Sequence, residues 1–140
     1  MSSDTVTSRN ALQFTNDNKK AYAYSGILGI DSTETSLLKF NTNSEYLNAK
    51  IMIFNESGSG DDMRYKIKFN NVVVVSTYSN SGNDFLLDTP IILIIPPFTV
   101  VDITADNISS GTNRNHTAHV WAKVGMPQRV GNEWVAKYTI

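Results

Sequence analysis

No cysteine occurs in the 140 residues of the chain. That absence removes a disulfide framework, thiolate metal sites and a cysteine nucleophile. Staples are not needed, because one domain of this length hides roughly two-thirds of its unfolded surface around a single core. Charge is scarce too: Asp, Glu, Lys and Arg make up 18% of the chain and nearly balance, leaving a formal net charge of −1. The basic residues are scattered and build no electrostatic footprint, so no nucleic-acid partner is expected. No apolar run approaches the roughly 20 residues that span a bilayer, so no membrane partner is expected. The opening residues, MSSDTVTSRNALQF, lack the apolar core of a signal peptide, and no cleaved leader is expected.

Catalytic signatures are missing in the same way. The chain has only two histidines, His116 and His119. Three apart on a strand, they point to opposite faces and cannot grip one metal as a helical i, i+4 pair does. Asp61 and Asp62 follow a Gly-Ser-Gly run, but a hard cation needs several oxygens from a patterned loop, and that pattern is absent. They read as solvated loop acids. GSGDD and SSGTN contain glycine but match no phosphate loop, and no G-x-S-x-G elbow occurs. No catalytic, cofactor-binding or metal-ligating residue is therefore assigned, no cofactor is expected, and the chain is not read as an enzyme.

What remains is abundant Asn, Ser and Thr with β-branched and aromatic residues, and no window holds a 3.6-residue apolar period over three turns. The fold class is all-β. Strands are expected at Ala21–Ile30, bent at Gly26, and at Ser36–Phe40 and Tyr46–Phe54. The last of these turns Leu47, Ala49, Ile51 and Ile53 inward. Met63–Phe69 alternates, with Arg64, Lys66 and Lys68 outward as a solvated face that discourages edge pairing. Asn70-Asn71 suits a two-residue hairpin turn before Val72–Tyr78. Ile91–Ile95 is apolar on both faces, so both should be covered, one by the core and the other by a neighbouring subunit, a terminal segment or a loop. Pro96-Pro97 stops it, because neither residue donates an N–H. Phe98–Ala105 alternates next. His116–Gly125 follows, with Ala118, Val120, Ala122 and Val124 inward and His119, Trp121 and Lys123 on the other face. About eight short strands divided by turn signals give a single antiparallel β-sandwich, jelly roll or barrel.

The chain divides into a polar N-terminal arm over 1–20, a sandwich domain over 21–126 and a C-terminal tail over 127–140. Phe14 is one of few apolar points in the arm. The tail carries Trp134, Val135, Tyr138 and Ile140, too apolar for a free end, and is expected to dock. With Ile92 and Ile94, these form the expected oligomer or capsid interface. Tyr22, Tyr24, Tyr46, Tyr78, Trp121 and Trp134 could offer flat platforms for sugars, His119 and Trp121 foremost. Aromatics also anchor cores and subunit contacts, and that competing role applies to most of them.

KKAYAYSGILGIDSTETSLLKFNT, SGDDMRYKIKFNNVVV, and DTPIILIIPPFTVVDITADN followed by HTAHVWAKVGM together resemble small jelly-roll virion modules. These are capsid decoration (cement), head-spike and fibre proteins of tailed phages and other large DNA viruses. The I-P-P-x-T-x-V-x-I-x-A turn carries most of the likeness, which spans Ala21 to Met126. It implies a jelly-roll-like fold and a non-enzymatic shell component located in the virion. A homotrimer seated on a major capsid protein is the implied assembly. A carbohydrate-binding, receptor-recognising module is the alternative, with a glycan as partner. A coat protein forming a whole shell is a third reading, but it lacks the basic arm that packaged nucleic acid needs.

Overall fold

The computed structural model describes residues 13–14, 19–56, 61–79, 90–125, 127–130 and 133–136. Their strands are β1 (Gln13–Phe14), β2 (Lys20–Tyr24), β3 (Leu28–Ile30), β4 (Thr35–Asn41), β5 (Leu47–Asn55) and β6 (Met63–Phe69). Then come β7 (Val72–Ser79), β8 (Ile91–Ile95), β9 (Val100–Asn107), β10 (Arg114–Val124), β11 (Pro127–Val130) and β12 (Glu133–Ala136). One sheet runs β1-β2-β10-β5-β8, with β3 also on β10, and a second runs β4-β9-β6-β7. From β4 to β10 the chain crosses between sheets at every step except the β6–β7 hairpin, and β11 and β12 form a separate two-stranded sheet. Counting β2 and β3 as one interrupted strand, this leaves the eight-stranded, two-sheet order of a jelly roll. Periodicity could not supply that order. The pairing does.

The core follows the period-two rule. Ala21, Ala23, Ala49, Ala118 and Ala122 make the first sheet's inner face shallow, and bulky Leu37, Leu38, Phe40, Met63, Tyr65 and Ile67 project from the second sheet into the same buried cluster. Leu37 and Leu38 are both buried although adjacent, because the β4–β9 register shifts between Ser36 and Leu38. A bulge there adds one residue and lets two neighbours face inward.

Two local devices shape the strands that carry the site. Between β2 and β3, Gly26 adopts a φ of 72°. Ser25 fills the gap in the ladder: its N–H donates to the Ala118 carbonyl at 3.0 Å, and its Oγ accepts the Ala118 N–H at 2.8 Å. A side-chain oxygen thus takes the place of a strand carbonyl. In the β6–β7 turn, Asn70 and Asn71 have φ of 52° and 68°, the pair of left-handed residues that a type I′ turn needs. Asn70 Oδ1 also accepts the Val100 N–H at 2.9 Å, tying the turn to β9. Asn71→Val is expected to cost about 1–2 kcal/mol, since a β-branched residue resists that conformation. Urea titration against the parent chain checks it.

One strand boundary changes. The strand expected from Phe98 begins at Val100: Pro96, Pro97 and Phe98 form the corner, and Phe98 has a φ of 53° and is 76% exposed. Thr104 is buried, and its hydroxyl donates to Glu34 at 2.7 Å. Among the described residues nothing covers the outer face of β8. Ile92 is 62% exposed, because β8 is an edge strand with no described segment over it. In the tail, expected to dock, β11 pairs β12 antiparallel, and the side chains of these strands lie outside the described residues.

Candidate functional site

The two outer faces differ in kind. On the second sheet, Arg64, Lys66 and Lys68 of β6 are engaged by acids. Arg64 makes a two-pronged contact with Asp106, Nε to Oδ1 at 3.2 Å and Nη2 to Oδ2 at 2.8 Å. Lys68 and Lys66 both approach Glu34, at 2.7 and 3.6 Å. The hydrogen bond from Lys68, helped by Thr104, holds the Glu34 carboxyl down at about 2, against an ordinary 4.5. This face is solvated and charge-compensated, as its alternation implies. The edge-guarding role expected of these cations does not apply, because β6 lies between β9 and β7.

The first sheet presents something else. Its outward residues include Tyr22 and Tyr24 on β2, His119, Trp121 and Lys123 on β10, Lys50, Met52 and Phe54 on β5, and Ile92 and Ile94 on β8. Register places Tyr22, Trp121, Lys50 and Ile92 in one cross-strand row, and Tyr24, His119 and Met52 in the next. Directly opposed side chains of this kind lie about 4.5–5.5 Å apart at Cβ. Trp121 is 44% exposed, and its indole N–H donates to the Tyr24 hydroxyl at 3.2 Å. Tyr24 meets Tyr22 at 5.3 Å between ring centroids and meets His119 edge-on at 5.2 Å. Phe54 closes the far side of His119 at 5.3 Å. The rings therefore brace one another. A braced Trp loses little side-chain entropy when a ligand covers it.

His119 and His116 do face opposite ways. His116 is fully buried between the sheets, with Nδ1 at 2.8 Å from the Arg114 carbonyl and Nε2 at 2.9 Å from the Tyr65 hydroxyl. A carbonyl only accepts, so Nδ1 carries the proton and Nε2 accepts from Tyr65. Burial lowers its pKa from the ordinary 6.5, outweighing the Arg114 hydrogen bond and Glu56, which act to raise it. This histidine bridges the two sheets and is unavailable to a ligand.

Asp61 is not a solvated loop acid. Its Oδ2 accepts from Arg114 Nε at 2.7 Å, Asn107 Nδ2 at 2.9 Å and Ser110 Oγ at 3.1 Å, and its Oδ1 accepts from Ser109 Oγ at 3.3 Å. The Arg114 bond foremost, then Asn107, holds its pKa at about 2 against an ordinary 3.8. Asp61 clamps the β9–β10 loop to the start of β6. Its environment supplies hydrogen-bond donors, whereas a calcium loop supplies acceptor oxygens. Among the described residues no three His, Asp or Glu side chains converge.

Both carboxylates are more acidic when folded than unfolded, so their stabilisation is complete above about pH 4.5 and is lost as pH falls toward 2. Melting temperatures between pH 5 and 2 should fall accordingly. Asp61→Asn should melt lower at pH 7 and show a shallower acid dependence.

Of the residues singled out from sequence, Ile92, Ile94, His119 and Trp121 share the outer face of the first sheet. Phe14 lies in β1, whose partner is β2, and Trp134 and Val135 lie in β12. Tyr138 and Ile140 fall outside the described residues. Lys50 and Lys123 were not singled out, although the alternation that put Trp121 outward put Lys123 beside it.

A further surface is lateral. β4 packs across β2 and β10. The opposite ends of both sheet orders, β7 and β8, therefore lie along the same side of the sandwich. Neither strand contains a charged residue or proline. A register shift leaves Val74 unpaired, and Val72, Val73 and Val74 are all exposed, as is Tyr78. Natural edges are normally guarded by charge, proline or a bulge, and of these only the bulge is present. With its ladder interrupted at Val74, this wall offers side chains more than backbone.

Compared with protein-family models, curated proteins and solved structures, the chain gives no match.

Proposed function

We propose that this chain is a non-enzymatic virion structural protein, of the capsid decoration (cement) or spike type, that acts as a homo-oligomer on a shell of major capsid protein. A trimer is the favoured assembly. The observation that carries the reading is the uncharged β7–β8 wall, where Val72, Val73 and Tyr78 on one edge strand and Ile92 and Ile94 on the other are exposed, apolar groups of the kind that gather at association surfaces. The jelly-roll strand order agrees with the resemblance to small virion modules, although a fold alone carries no function.

Magnitude adds a requirement. The eight residues of β7 span roughly 26 Å, and packed sheets lie about 10 Å apart. The wall thus offers a few hundred Å², less than the roughly 800 Å² per partner of a stable interface. Further area must come from elsewhere, and the apolar residues Phe14, Trp134, Val135, Tyr138 and Ile140 are the proposed source. Trp134→Ala should weaken self-association by about tenfold or more, as loss of an interface aromatic does, read by sedimentation equilibrium. Unchanged association would remove the tail from the interface.

The alternative reading is a carbohydrate-binding, receptor-recognising module. What favours it is the braced Tyr22–Tyr24–Trp121–His119 group, which lies on β2 and β10, away from the β8 edge. The two readings share the outer face of the first sheet but centre on different strands, β2 and β10 for the sugar and β8 with β7 for the assembly. A glycan array with the parent chain and Trp121→Ala tests the second, and it fails if no glycan is held through Trp121.

A further inference from the structure

On the second sheet Lys66 and Lys68 meet Glu34, whereas Lys50 and Lys123 on the outer face of the first sheet meet no acid among the described residues. Around Trp121, Lys50 stands directly opposite on β5, and Lys123 follows two residues along β10 on the same face. Lys123 in turn stands opposite Lys20 of β2, so like charges share one row. The described outward positions on β2, β5, β8 and β10 include no Asp or Glu.

A half-exposed indole flanked by uncompensated cations fits a ligand with one apolar face and one negative charge. We infer that the Trp121 platform is a binding site for an acidic saccharide, one bearing a carboxylate or sulfate. The C–H face of the pyranose lies on the Trp121 ring. Tyr22, and Tyr24 held by the indole N–H, border it, and His119 is the neighbouring ring group. The acidic group lies toward Lys50 and Lys123, where a charge-assisted hydrogen bond is stronger than a neutral one. A neutral sugar would leave both ammonium groups unanswered. An aliphatic protein surface would bury them without a partner, at a net cost. This inference rests on the carbohydrate reading above and specifies its ligand class.

Lactose, 6′-sulfolactose and 3′-sialyllactose share one core and differ in charge, so titrating each into the full chain, followed by tryptophan fluorescence, separates the two layers. At least one acidic sugar should bind about tenfold or more tightly than lactose, and raising salt from 0.05 to 0.5 M should erase most of the difference as screening shortens. Lys50→Gln with Lys123→Gln should bring the acidic sugars down to the level of lactose while leaving the melting temperature intact. Trp121→Ala, followed by calorimetry, should abolish binding of all three. If lactose binds as tightly as both acidic sugars, the lysine assignment is overturned and the carbohydrate reading survives. If no saccharide binds, both are overturned. Binding of oligo-dT in preference to every saccharide would overturn both in favour of a single-stranded nucleic-acid surface, since bases also stack on Trp.

Discussion

Replacing His116 with alanine is expected to cost roughly 3–5 kcal/mol of folding stability, a large part of what a domain this size possesses. Two causes add. The imidazole is fully buried, so its removal leaves a cavity between the sheets. The Tyr65 hydroxyl, at 2.9 Å from Nε2, loses that acceptor. Tyr65→Phe removes only the donor and should cost nearer 1–2 kcal/mol. Urea unfolding of both variants reads the difference.

The same residue sets a pH dependence. Burial lowers the folded-state pKa of His116 below 6.5, so the folded chain resists a proton that the unfolded chain accepts. Its contribution is therefore whole above about pH 6.5 and declines below it, by at most about 1.4 kcal/mol per pH unit, until the folded-state pKa is passed. The sign matches that of Asp61 and Glu34, but the window lies higher. The His116→Ala chain should lose the decline that sets in below pH 6.5 while keeping the one below pH 4.5.

The second large effect concerns assembly. Ile92→Glu combined with Ile94→Glu should weaken self-association by about a hundredfold or more and leave single chains at micromolar concentration. The fold should survive, because both side chains point away from the core and exposed substitutions usually change stability by no more than about 0.5 kcal/mol. Trp121→Ala is the matched control: on the β10 side of the same face, it should leave the mass unchanged. If the double-glutamate chain keeps the parent's mass and melting temperature, the β8 wall is not the contact.

Much of this molecule is written in alternation. YLNAKIMIF and MRYKIKF give their inward sets directly, HTAHVWAKVG separates His116 from His119, and Asn70-Asn71 announces its turn. These features depend on neighbours within a few residues. What escaped depends on partners far along the chain. Asp61 looks solvated until Arg114, 53 positions later, is brought to it. Thr104 gains its partner Glu34 from 70 positions earlier in the chain. The Ser25 side chain acts as a strand carbonyl only because β10 lies beside it. Leu37-Leu38 breaks the alternation because of a bulge that no local rule places. Trp121 was legible as an outward aromatic, but its bracing by Tyr24 needed the β2–β10 register, and its pairing with Lys50 needed β5 on the other side.

The homo-oligomer is the central claim, and mass in solution tests it most directly. Light scattering from the full chain at micromolar concentration should give three times the chain mass of 15.5 kDa. A particle of 15.5 kDa would contradict assembly through the β7–β8 wall, and with it the structural role.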